Sequence, residues 1–443
     1  MSLSLRSDAL EPTRAELVGL SAGEKFRRYI PIYGLPIIVV LLIILFSALF
    51  PETFPTLANA NALIDNKAII ALLSLAALAP MAAGKIDLTI GFGIVLWHIL
   101  VISLQLQFHI PWQAAVVFVL MLGACLGLVN ALLVEFAQID AFVATLGTGT
   151  IVYAIALWYT GGRQVVGQLS EGFYAIDGLH FAGIPVSAFY VLVLSVVLWL
   201  VFDYLPLGRF VYAIGANPRA AALNGISVRR YVTLTFVVSG VLTAFAGVVL
   251  ASQLQIGQAS VGLDFLLPAL VGVFLGSTTI KPGRVNVWGT LVGVTVLAVG
   301  ISGIQQLGAD FYVEPLFNGV TLIASIGIAG FAQRRRIGGI AKKLSAAALA
   351  TTAETEILAP VASAQGEPQR AATLPQAELI ERAHACVERM SSALSAVNGA
   401  ETSEAREQAW RAALADEAIG AELRRLTSPS RKSSQRGAQE GGS

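Results

Sequence analysis

Charge is what this 443-residue chain has least of: Asp, Glu, Lys and Arg make up 13% of it, against roughly a quarter in an ordinary soluble domain. With 56% hydrophobic residues beside that scarcity, the composition excludes both a soluble globular protein and a disordered one. Cysteine is almost absent. Cys125 lies in an apolar run and Cys386 in a polar stretch, so neither a disulfide framework nor a Cys/His metal site can be assembled. His98 and His109 are too scattered to hold a metal. Without an excess of basic residues, nucleic acid is excluded as a partner. There is no Ser/His/Asp set or close carboxylate pair to form a catalytic centre. A phosphate-binding G-x-x-x-x-G-K-[ST] loop is missing as well, because Gly84-Lys85 runs into Ile86 and Lys281 follows Ile280. The chain is expected to be no enzyme and to carry no cofactor; if ATP drives it, another chain must bind the nucleotide.

What is present is apolar sequence in long runs. A charged side chain at the bilayer centre costs at least about 2.5 kcal/mol, so charge-free intervals mark candidate spans. Between Arg28 and Glu52 lie 23 uncharged residues, and between Lys67 and Lys85 another 17; each suits one helix across a core that needs roughly 20. The 47 uncharged residues between Asp87 and Glu135 are too many for one helix, and the break at Gln105, Gln107, His109 and Pro111 divides them into a helical hairpin. Six further intervals follow: Asp140 to Arg163, Asp177 to Asp203, Arg230 to Asp264, Asp264 to Lys281, Arg284 to Asp310 and Glu314 to Arg334. The fold class is therefore an all-α integral membrane protein with about ten transmembrane helices over residues 30–333.

With the N-terminus inside, 17 of the 19 Lys and Arg residues up to Lys343 fall on the cytoplasmic side, leaving only Lys67 and Arg163 outside. That asymmetry predicts cytoplasmic N- and C-termini and an even number of spans. Residues 1–29 are too long and too acidic for a signal peptide, so the first span is expected to be a retained anchor. Gly123 and Gly127, and Gly289 and Gly293, are pairs spaced four apart that would let helices approach closely. Trp97, Trp112, Trp158 and Trp288 are expected near span ends, as interfacial anchors.

The longest hydrophilic segment in the apolar part is 206–231, PLGRFVYAIGANPRAAALNGISVRRY. Within it Asn217 is a helix-capping residue, Pro218 suits the first helical position, and Gly225 suits the C-cap. A short surface helix is predicted there. It is either a plain connection between spans or a lever that receives force from a soluble partner.

GRFVYAIGANPRAAALNGISVRR resembles the cytoplasmic coupling segment of the permease subunits of ribose-type sugar ABC importers. Three more blocks are similar to the same family in the expected order: GKIDLTIGFG at 84–93, AFVATLGTGTIVYAIALWYTGGRQV at 141–165, and LVGVFLGSTTIKPGRVNVWGTLVGV at 270–294. The resemblance covers about residues 30–331. Lys85 stands where the family usually has a second glycine, Ala141 where it has proline, and STTIKPG replaces a Gly-rich turn. The resemblance implies a bacterial inner-membrane permease that forms the path for a small polar solute, a monosaccharide or polyol. It implies as partners a cytoplasmic ATP-binding subunit, a periplasmic or extracellular solute-binding protein, and a second permease copy, identical or related, in the lipid bilayer. By position, Gly215, Asn217, Ala221 and Gly225 would dock on the ATPase, with Arg209 and Arg219 as flanking charges; the arginines could also serve orientation alone.

Asp87 is the acid nearest apolar sequence, in IDLTIG, where Gly84 and Gly91 interrupt the helical pattern. A broken helix at membrane depth is tolerated where it faces protein or a water-filled cavity. Asp87, Thr89 and Gly91 are candidates for lining the translocation path; alternatively Asp87 pairs with Lys85 or caps the next helix. Thr145, Thr148 and Thr150 open the fifth helix and either face the same path or bond the carbonyl four residues back. A self-sufficient secondary transporter is the competing class, and it would need an ion-coupling group where only Asp87 is available.

Lys and Arg exceed Asp and Glu by four up to residue 343 and fall three short beyond it, so an unlike part is joined there. Residues 334–375 read as a flexible linker, 376–426 as a soluble helical tail with Leu379, Ala383, Val387, Met390 and Leu394 at helical spacing, and 427–443 as disordered.

Overall fold

The computed structural model describes residues 22–310 and 312–327, with side chains from residue 32 onward. Residues 1–21 of the N-terminal segment, and the linker, helical tail and disordered end expected at 334–375, 376–426 and 427–443, lie outside the described residues. Among the described residues the regular structure is helical apart from one short hairpin, β1 (His180–Phe181) with β2 (Ile184–Pro185), and an isolated bridge between Val165 and Gly257. The long helices are α1 (Ala22–Leu49), α2 (Leu57–Ala82), α3 (Thr89–Leu106), α4 (Trp112–Glu135) and α5 (Ala141–Thr160). A short α6 (Glu171–Gly178) precedes the hairpin; α7 (Val186–Trp199) follows it and ends in a π turn at Leu200–Tyr204. Then come α8 (Pro206–Ala216), α9 (Pro218–Leu223), α10 (Val228–Leu254), α11 (Leu266–Gly276), α12 (Val287–Gln306) and α13 (Val313–Gly327).

Eight of the helices among the described residues are long and apolar enough to cross a membrane, and α11 and α13 are shorter apolar helices in two of the remaining expected intervals. Most of α2, α3, α10 and α12 is buried inside the chain, while α1, α4, α5 and α7 turn large apolar side chains outward. The glycine pairs explain how the interior closes. A Cβ on Gly123 would lie 2.4 Å from the Gly240 carbonyl oxygen, and one on Gly127 only 2.3 Å from that of Phe236, so α4 and α10 touch backbone to backbone. Gly289 and Gly293 do the same for α12 against Gly276 and Gly272 of α11. Dispersion between close backbones replaces the hydrophobic drive that lipid does not supply.

Several boundaries differ from the charge-free intervals, for one reason: charges are admitted to helices when they find partners. α2 begins ten residues before Lys67 and carries it within the helix, where it pairs with Glu314 at 3.0 Å, while Asp65 accepts a hydrogen bond of 2.8 Å from Ser187. α10 starts at Val228 and includes Arg229, whose guanidinium lies over the Phe136 ring at 5.3 Å, and Arg230. Gly91 does not interrupt a helix. It lies inside α3, where a Cβ would meet Leu266 at 2.4 Å, so it is a packing glycine. Trp97 is buried in the middle of α3 rather than anchored at an interface, and Trp112, Trp158 and Trp288 do fall near helix ends. The α6 helix and the hairpin are absent from the span reading because α6 is only eight residues long and each strand only two.

Candidate functional site

The face that carries Arg209, Arg219, Arg229 and Arg230 is built from α8, α9 and the start of α10. Asn217 adopts an extended conformation between them and its side chain accepts the Ala220 N–H at 3.1 Å, which satisfies one orphan donor at the start of α9. At the other end Gly225 takes φ +79°; its N–H bonds the Ala222 carbonyl at 3.0 Å and the Ile226 N–H reaches that of Ala221 at 3.1 Å. These two bonds close a Schellman cap, which requires the left-handed backbone that glycine supplies. Ala221 is buried on one side of α9, while Arg219 and Leu223 stand exposed on the other. A helix this short would not persist alone; both caps and the Ala221 contact hold it. Arg209 is exposed on α8. Gly215, at the end of α8, is not part of α9: a Cβ there would sit 2.3 Å from the Ala82 carbonyl oxygen, so it brings α8 onto the end of α2.

Charge and aromatic contacts fix α8 from the other direction. Asp203, in the π turn, receives Lys281 at 2.7 Å and Arg284 at 3.1 Å. Arg284 also covers the Tyr212 ring at 4.1 Å, and the Tyr212 hydroxyl donates to the Val285 carbonyl at 2.9 Å. Burial pushes the Tyr212 phenol up to about 12, with Arg284 opposing the shift. Lys281 of the STTIKPG stretch and Arg284 just after it thus hold the turn that ends α7, and Arg284 also holds α8 through Tyr212.

Next to this face, α2 ends at Ala82 and α3 begins at Thr89, and the intervening strap carries Asp87. Asp87 is 1% exposed and makes no ion pair among the described residues; Lys85 turns instead to Glu135 at 3.8 Å. One Asp87 oxygen accepts the Thr89 N–H at 2.9 Å and the Thr89 hydroxyl, and the other accepts the Ser239 hydroxyl at 2.7 Å. Thr89 in turn accepts from Asn130 at 3.1 Å, and Asn130 accepts from the Thr148 hydroxyl at 2.6 Å. Every donor in this chain points towards the carboxylate, the arrangement that an acceptor-only group requires. Thr145 is fully buried, donates to the Ala141 carbonyl at 2.7 Å and accepts the Leu88 N–H at 3.1 Å.

Asp87, Thr89, Thr145 and Thr148 are therefore brought together, linking the strap to α3, α4, α5 and α10, while Gly91 packs elsewhere. Asp87 caps α3, one of the alternatives read from sequence, and does not pair with Lys85. Thr145 and Thr148 do bond the carbonyl four residues back, Thr148 at 3.0 Å from Ala144. Asn130 and Ser239, both 0% exposed, were missed; the only signal they offered was an amide and a hydroxyl inside apolar runs.

The described residues thus form a many-span helical membrane chain with a capped helix on its arginine-rich face. Residues 62–326 match the family described as the permease component of branched-chain amino acid transport systems, and the chain belongs to that family. Among curated relatives, the ribose import permease RbsC of Bacillus subtilis is 31% identical over 65% of this chain and 88% of its own length. RbsC of Haemophilus influenzae is 27% identical over 66% of this chain and 90% of its length. The D-allose transport permease AlsC of Escherichia coli is 27% identical over 67% and 90%. No solved structure matches. The chain is the permease subunit of an ATP-driven importer and a multi-pass protein of the bacterial inner membrane. ATP is hydrolysed by a separate ATP-binding subunit, and a substrate-binding protein belongs to the same system.

Proposed function

We propose that this permease admits a monosaccharide or polyol, as the ribose, allose and autoinducer-2 permeases similar to it do by name. α11 and α13 complete ten spans, with both termini cytoplasmic and the arginine-rich face inside, an orientation that the distribution of Lys and Arg supports. α9 is the helix that docks in a groove of the ATP-binding subunit: Asn217, Ala221 and Gly225 shape and brace it, Arg209 and Arg219 flank it, and Gly215 ties it to α2. The double capping of α9 carries this reading, because a helix fixed at both ends transmits displacement that a loose loop would dissipate.

The translocation path runs beside α5, with Asp87, Thr89, Gly91, Thr145 and Thr148 forming the packed wall behind it. The burial of Asp87, Thr89, Gly91 and Thr145, with Thr148 half-buried, supports a wall rather than an open lining. On the opposite side of α5, Gly147, Thr150 and Ala154 are exposed and small, unlike the Val117, Met121 and Leu132 that α4 turns outward. That stripe suits a solute passing between this chain and a second permease copy, identical or related.

Uptake of radiolabelled monosaccharides into vesicles tests the reading. With the ATP-binding subunit and binding protein present, uptake is expected to require ATP and to ignore proton-gradient uncouplers. Uptake that persists without the ATPase partner and collapses with the proton gradient overturns it.

A further inference from the structure

We propose that residues 83–88 are the strap through which movement of α8 and α9 reaches α5, with Asp87 and Thr145 as positioning residues for transport. The inference rests on the docking of α9 proposed above. At one end of the strap, Gly84 and Gly215 meet backbone to backbone. Gly84 takes φ +74°, a Cβ on it would lie 3.3 Å from the Gly215 carbonyl oxygen, and one on Gly215 would lie 2.3 Å from that of Ala82. Neither glycine has a side chain to hold the two backbones apart at this contact. The Gly84 N–H bonds the Met81 carbonyl and the Lys85 N–H that of Pro80, each at 3.0 Å, so the strap leaves α2 in a fixed direction.

At the other end, the attachment is made wholly by buried hydrogen bonds. Thr145 of α5 holds the Leu88 N–H, Ser239 of α10 holds Asp87, and Thr89 reaches Thr148 of α5 through Asn130 of α4. A chain spans at most about 3.6 Å per residue, so so short a segment fastened at both ends has little slack. Movement at Gly215 must then appear at Thr145. A buried carboxylate without a cation is expensive to keep; fixing the strap to α10 gives that expense a use.

The test uses the assembled transporter in nanodiscs, with its ATP-binding subunit, and follows hydrogen exchange with and without a non-hydrolysable ATP analogue. In the unmodified protein, nucleotide is expected to change exchange both in 206–226 and in the first half of α5. In Thr145→Val, the response of 206–226 is expected to remain and that of α5 to disappear, with solute transported per ATP down about tenfold, within the range of ordinary coupling energies. Thr145→Ser is expected to restore both, because its hydroxyl can accept the same N–H. Gly215→Ala, acting at the other end of the strap, is expected to silence α5 in the same way and provides a second route should Thr145→Val fail to fold. An α5 response that survives in either variant while 206–226 responds overturns the strap. Silence of 206–226 in the unmodified protein overturns the docking of α9, and the strap with it.

Discussion

At the face proposed as inner, the polar groups buried around Asp87 all have partners and α9 is capped at both ends; at the face proposed as outer, Asp177 lies near Asp65, and one Asp177 oxygen is buried with no protein partner among the described residues. Partial burial, and next the charge of Asp65, raise the Asp177 carboxyl to about 6, with His180 pulling the other way. Nearby, the Tyr190 hydroxyl donates to the Ile176 carbonyl at 2.8 Å. The difference teaches where each face keeps its freedom. The first is determined by satisfied bonds and suits the transmission of force, whereas the second retains electrostatic tension that a proton can adjust.

The largest effect that could break this contrast is Gly225→Pro. Proline cannot adopt φ +79° and has no N–H for the Ala222 carbonyl, so transport-linked ATP hydrolysis is expected to vanish while membrane insertion, read by fractionation, is retained. Unchanged coupling would remove α9 from the mechanism. Asp87→Ala comes next. It orphans the Ser239 hydroxyl and the Thr89 donors, at about 1–3 kcal/mol for each buried group left unpaired, so the thermal midpoint should drop clearly. Asp65→Asn at the outer face, which can keep the bond from Ser187, should leave that midpoint nearly unchanged.

The pH response is the third effect and is read at Asp177 on the outer face. Because the folded-state value of Asp177 is raised, the folded protein holds a proton between about pH 4 and 6 that the unfolded chain has released. Local stability therefore falls as pH rises through that window. Hydrogen exchange in 171–185, corrected for intrinsic rates, should be more protected at pH 5 than at pH 7, and Asp177→Asn should erase the difference. If it survives in that variant, the response comes from another group. The smallest effect is expected from Asp203→Asn. Lys281 and Arg284 are 41% exposed, and bridges to such cations contribute up to about 1 kcal/mol, so a downward shift of a few degrees at most should appear in a thermal melt.

What was legible in the sequence was local. Asn217, Pro218 and Gly225 announce α9 because capping depends on residues a few positions apart, and the structure supplies the bonds. Gly123 and Gly127 announced a close helix contact but not its partner, since Gly240 is distant in sequence. Asp87 stood out as a lone acid in apolar surroundings, yet its bond to Ser239 spans 152 positions and that from Thr89 to Asn130 spans 41. No periodicity encodes such pairs. α2 was drawn too short for the same reason: the partner that admits Lys67 to a helix, Glu314, lies 247 residues away.

Gly123, Gly127 and Gly240 leave α4 and α10 with no side-chain bearing between them on which to slide. The two must rock as a single plank. The changes of shape that open the doorway first to one side of the bilayer and then to the other have to be taken up at other seams, and a bulky residue wedged into this one would cost the protein its assembly before it cost any turnover.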